Sequence, residues 1–178
     1  VSNGQASYWS FTKSDSNDIS STVTANYSDM TIVFEPDFST VGGANIAGLI
    51  ATGHATYSTP YESLRFGGVD GTGPWYIPNP GNADDWVYSN LGTSIYKNGT
   101  PYSYGTNVNM SSGWNIIGGA RTNNDAGFSS PWAYYLGTSG YPGRNFQGKI
   151  AVVLLYSSAL TQQQQEQNFE ALRGRFGL

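Results

Sequence analysis

The 178-residue chain predicts one all-β domain, spanning residues 1–178 and closed by a single C-terminal helix. Three observations carry this reading. Charged residues make up 11% of the chain while aromatics reach 15%, against about 25% charged in average soluble domains. Apolar residues recur in short runs broken by Gly, Pro and Asn, as strands and turns require. Only one stretch, near the C-terminus, shows helical spacing with matching start and stop signals.

The elements follow in order. Met30-Thr31-Ile32-Val33-Phe34 reads as a strand ended by Pro36, since proline cannot donate to a sheet ladder. Asn45 to Ala51 predicts a second, buried strand, and Ser63-Leu64-Arg65-Phe66 alternates as a half-buried one does. Trp75-Tyr76-Ile77 is a short strand between Pro74 and Pro78. Ser94 to Tyr102 predicts a hairpin, because Asn98-Gly99 supplies the two positive φ angles of a type I′ turn. Trp114 to Ala120 and Phe146 to Tyr156 are further strands. The run Ile150 to Tyr156 is nearly all apolar, which predicts a central strand covered on both faces. Gln162 to Arg175 predicts the helix: Thr161 caps it, Gln164 stands at the capping-box position, and Phe169, Leu172 and Phe176 form one apolar stripe. Glu166 and Glu170 precede Arg173 and Arg175, Gly174 weakens the last turn, and Gly177 ends it.

The composition excludes several functions. A pI near 4.7 with three lysines argues against nucleic acid, whose phosphates require clustered Lys and Arg. No apolar run reaches the roughly 18 residues of a membrane helix. Cysteine is absent, so neither disulfides nor thiolate metal sites contribute. No signal peptide is visible and Val1 is not a start methionine, which suggests a processed product or an excised domain. Three sequons stand at Asn26, Asn98 and Asn109.

A family resemblance emerges from the last third. Phe146-Gln147-Gly148-Lys149-Ile150-Ala151 leads through Val152 to Tyr156 into Ser157-Ser158-Ala159-Leu160-Thr161, then a terminal helix. This resembles the closing segment of laminin-G-like domains of the concanavalin A-like lectin and glucanase superfamily. The Tyr96 to Gly99 hairpin, Ile116-Ile117-Gly118-Gly119-Ala120 and Asp29 to Asp37 resemble the family's other segments in the same order. The resemblance implies a two-sheet antiparallel jelly-roll sandwich of extracellular, cell-surface or virion location. It leaves the chemistry open, because that superfamily holds lectins, adhesion modules, virion domains and glycan-cleaving enzymes.

For catalysis, the resemblance implies acids in an E-x-D-x-x-E pattern on one strand face. Glu35-Pro36-Asp37 begins it, but Thr40 stands where the last acid belongs. The only histidine, His54, cannot build a multi-histidine metal site, and no G-x-S-x-G elbow occurs. No catalytic residue is therefore assigned.

Glycan binding fits better. Sugars stack on aromatic rings and are fixed by Asn, Asp, Arg or backbone groups. The loops place such residues together: Tyr57 and Tyr61; Trp75 and Tyr76; and Trp132, Tyr141 and Arg144 near Asn124. Trp9, Trp86 and Trp114, near apparent strands, are read as core. Asp84, Asp85 and Asp125 are the metal candidates, in Asx-rich clusters that serve equally as turn formers. The resemblance allows one Ca²⁺ at the sandwich rim, and no cofactor is required. The expectation is a non-catalytic glycan-binding or surface-adhesion module whose partner is a cell-surface polysaccharide. The alternative is a structural or assembly domain of a virion, fibre or cell-surface layer that packs on other subunits, and a glycan hydrolase or lyase stands behind it.

Overall fold

The computed structural model describes residues 7–12, 19–20, 29–37, 47–52, 63–66, 91–103, 112–121, 134–137 and 146–178. The chain is mostly β. Among the described residues ten strands run in order: β1 (Trp9–Phe11), β2 (Ile19–Ser20), β3 (Asp29–Pro36), β4 (Ala47–Thr52), β5 (Ser63–Phe66), β6 (Leu91–Lys97), β7 (Thr100–Ser103), β8 (Asn115–Arg121), β9 (Tyr134–Leu136) and β10 (Gly148–Tyr156). The C-terminal helix α1 (Gln162–Phe176) follows. Six strands pair antiparallel in the order β1-β10-β3-β8-β6-β7, and four more in the order β2-β9-β4-β5.

Strand β3 organises the six-stranded sheet. Its side chains alternate between two faces, and both are covered. Met30, Ile32 and Phe34 point to a core that also holds Phe11, Phe146 and Ile150, all buried. There Phe146 meets Phe34 and Phe11 edge-on, with ring centroids 6.0 and 6.2 Å away, the geometry that aromatic quadrupoles favour. Phe11 also lies against Gly137, whose backbone bonds to Leu49 of β4. The opposite face carries Asp29, Thr31 and Val33 and is covered by α1.

The helix starts as its sequence predicts. Thr161 accepts from the Gln164 N–H and donates its own N–H to the Gln164 side chain at 2.9 Å, closing a capping box. Gly177, left-handed at φ 71, ends it, and the N–H groups of Gly177 and Leu178 both return to the Arg173 carbonyl. Arg173 and Arg175 suit the dipole at the C-terminal end, but the first turn holds no acid, so only one end is complemented. Phe176 is buried with Val33 and Ile116, while Phe169 and Leu172 pack against that cluster. Gly118 lets the helix approach: a Cβ there would overlap the Gln165 side chain.

The hairpin between β6 and β7 also forms as expected. Asn98 and Gly99 have φ of 48° and 77°, the type I′ arrangement. Asn98 is the only non-glycine residue with positive φ among the described residues.

Two expectations need correction. Strand β10 is not central. Among the described residues it is second from the edge, paired with β1 at Gly148–Ile150, and its Leu155 is 36% exposed. The strand buried along nearly its whole length is β3, where only Glu35 is half-buried. Trp9 is not core either. It lies on β1, the edge strand of this sheet among the described residues, and is 46% exposed. Trp114 is half-buried, packed against Phe176 in a tilted ring contact with centroids 4.9 Å apart. The strand expected at Trp75–Ile77 and the core position expected for Trp86 lie outside the described residues. Among the described residues no helix is long and apolar enough to cross a membrane.

Candidate functional site

The sequence Glu35-Pro36-Asp37 ends β3, and the strand alternation places both acids towards the same side of the sheet end. Register then brings their partners. Lys149 of β10 pairs opposite Glu35, and Ser10 of β1 pairs opposite Lys149, so three strands set Ser10, Lys149 and Glu35 in one row. The Lys149 Nζ donates to Glu35 Oε2 at 2.7 Å, which holds the ammonium above the ordinary lysine value against a smaller opposing effect of burial. Asp37 is held twice by Gln147: its N–H donates to the Gln147 carbonyl at 3.0 Å, and its Oδ2 accepts from Gln147 Nε2 at 3.0 Å.

These groups line an open cleft of about 520 Å³ at this end of the sheet. Its walls combine hydroxyls (Ser10, Thr12, Ser112), the Gln147 amide, the carboxylates of Glu35 and Asp37, and Lys149. Gly148 forms part of the lining and is required there. Its φ is 138°, and a Cβ would overlap the Glu35 carbonyl and press on the Phe146 ring. At the margin stands Tyr8, 47% exposed, with the Lys149 ammonium 5.1 Å from its ring centroid. Behind Tyr8 lies Trp114, 6.2 Å away, which in turn packs at a tilt against Phe176 of the helix. An aromatic ladder thus runs from the cleft to the core.

Chemically, the cleft offers several acceptors and donors of hydrogen bonds beside an accessible ring. Both Glu35 and Asp37 lie in it, so the one acid pair noted in the sequence does share a concave surface. Glu35 accepts the Lys149 ion pair, and glycoside hydrolysis uses one ionised carboxylate together with one carboxyl that delivers a proton.

The loop residues expected from sequence to bind ligand, Tyr57, Tyr61, Trp75, Tyr76, Asn124, Trp132, Tyr141 and Arg144, lie outside the described residues, as do His54 and the metal candidates Asp84, Asp85 and Asp125. Among the described residues no group of three His, Cys, Asp or Glu side chains is arranged to hold a metal ion. Sequence reasoning missed Tyr8, Ser10, Gln147 and Lys149. Glu35 and Lys149 are 114 residues apart, and only strand register joins them. The available signal was the Tyr8-Trp9 pair, two aromatics in a polar N-terminal segment.

Comparison with family models, with curated proteins and with solved structures finds no match to this chain.

Proposed function

We propose that this protein is a non-catalytic glycan-binding or surface-adhesion module, acting outside the cell or on a virion. The observation that carries the reading is the cleft, with hydroxyl, amide and carboxylate groups around one opening and the exposed Tyr8 ring against its Lys149. Sugars offer matching surfaces: an apolar ring face to stack, and hydroxyls that both donate and accept. The module is read as a two-sheet jelly-roll sandwich of the laminin-G-like kind. Support for that architecture comes from the two sets of antiparallel strands and from Phe11 of one reaching Gly137 at the end of the other. The proposal requires no cofactor and leaves calcium as a bridging or structural ion at Asp84, Asp85 and Asp125.

A glycan array run with and without EDTA tests the reading. Binding that persists in EDTA and is lost in a Tyr8→Ala, Asp37→Asn double variant supports the cleft. Loss in EDTA together with loss in Trp132→Ala moves the site to the loops expected from sequence. A folded protein that binds no glycan in either condition overturns the reading. New reducing ends in incubated polysaccharides would overturn its non-catalytic part.

A second reading rests on the exposed Tyr8, Trp9 and Leu155. Large apolar side chains left in solvent suit the core of an interface, and make the chain an assembly domain that buries them on another subunit. Oligomeric state measured by light scattering separates the two. A monomer that binds free sugar removes the assembly reading.

A further inference from the structure

We propose that Asn98 is a self-modifying site, and that the terminal helix gates its deamidation. The inference is independent of any glycan. Asn-Gly is the dipeptide in which the following amide nitrogen is least hindered, because glycine carries no side chain. The Gly99 nitrogen attacks the Asn98 Cγ, a C–N bond forms, and the nitrogen gives up its proton to solvent. The Cγ–Nδ2 bond breaks and the amide nitrogen leaves as ammonia. Water then opens the cyclic imide at either carbonyl, leaving aspartate or isoaspartate at position 98. One water is consumed, one ammonia is released, and nothing is oxidised or reduced.

The fold holds these atoms out of reaction. The Asn98 Oδ1 accepts the Ile116 N–H at 2.8 Å, and the Asn98 N–H donates to the Ile116 carbonyl at 2.8 Å. Both the side chain and the backbone of Asn98 are therefore tied to β8. Gly99 is closed off from the other side by Phe169 of α1: a Cβ on Gly99 would stand 2.7 Å from Phe169 Cδ1. Swinging Cγ onto the Gly99 nitrogen breaks the Oδ1 bond and turns the backbone away from its φ values of 48° and 77°, a rotation that the Phe169 ring obstructs. Reaction then proceeds only through the open hairpin, at a rate set by the open population. Isoaspartate adds a carbon to the main chain, which a two-residue turn does not absorb. The isoaspartate product therefore fails to restore the Phe169 seat, while the aspartate product keeps the main chain, and the release of ammonia makes either change one-way.

The test is proteolytic digestion and mass spectrometry of position 98 after incubation in mildly alkaline buffer, folded and in urea. We expect the folded protein to react at least about tenfold more slowly than the denatured chain. Phe169→Ala, shown to be folded by circular dichroism, is expected to raise the native-buffer rate about tenfold, and Leu172→Ala on the same helix to leave it within about twofold. If Phe169→Ala does not fold, Phe169→Leu takes its place with a smaller rise in the same direction. Equal rates in buffer and urea, or equal acceleration by the Phe169 and Leu172 variants, would overturn the proposal.

Discussion

The two covered ends of β3 use polar groups in opposite ways. At its start, under the helix, Asp29 is fully buried and accepts the Leu160 N–H and the Gln165 Nε2, both at 2.7 Å. Two residues on, Thr31 accepts from Asn168 at 3.1 Å. These groups face each other and close the joint between sheet and helix. At the far end, Glu35 and Asp37 meet their partners at the wall of an open cleft, beside an exposed ring. Burial converts polar side chains into a fastening, because an unmatched donor there costs stability. Exposure leaves them able to exchange partners, which recognition requires.

The largest expected effect would break this division. Gly148 belongs to the cleft wall but sits on the backbone of Glu35 and against Phe146 of the core. Gly148→Ala should destabilise the fold by about 3 kcal/mol or more, from left-handed strain and overpacking together. Urea denaturation measures it. A neutral result would mean that cleft and core are mechanically separate.

Next comes the fastening itself. Asp29→Ala orphans two donors and should cost roughly 2–4 kcal/mol by denaturant unfolding. The pH dependence gives a sharper signature. Desolvation by burial holds Asp29 above the ordinary aspartate value, although the bonds from Leu160 and Gln165 oppose it. The folded state thus binds the proton more tightly than the unfolded chain. Its contribution favours folding below the ordinary aspartate range and is lost as pH rises towards the raised folded value, then stays level. Asp29→Asn should remove that falling segment from a plot of unfolding free energy against pH. An unchanged profile would show that Asp29 is not the group responsible.

At the cleft the expected pattern reverses. Tyr8→Ala should weaken glycan affinity about tenfold, since an aromatic platform contributes on the order of 1 kcal/mol or more. It should shift stability by less than about 1 kcal/mol, as for other exposed positions. Calorimetry with an array hit, paired with thermal melting, reads both. A large loss of stability would place Tyr8 among the structural aromatics with Trp114.

The smallest effect sharpens the helix side. Gly174 has no neighbour within reach of an added Cβ. Gly174→Ala should stabilise the protein by about 0.5–1 kcal/mol through helix propensity. A loss instead would reveal a close approach to the last turn.

Much of the local structure was legible from local chemistry. The Asn98-Gly99 turn, the Thr161–Gln164 cap, the Gly177 stop and the Phe169–Leu172–Phe176 stripe each depend on residues within a turn or two of one another. Strands β1, β2 and β9 were not legible, because two or three residues carry no periodicity. The rank of β10 was misread for a related reason: apolarity reports how much a strand would gain from burial, whereas position in a sheet depends on which strands flank it.

The amino-acid sequence by itself determined a β-rich chain, its tight turn and the limits of its C-terminal helix, since conformational preference and hydrogen-bond capping act over a few residues. Only the tertiary structure decided that Asp29 closes under Gln165, 136 residues away, and that Glu35, Lys149, Ser10 and Tyr8 share one margin. Those meetings are set by strand register and order, properties of the whole sheet that no single segment encodes.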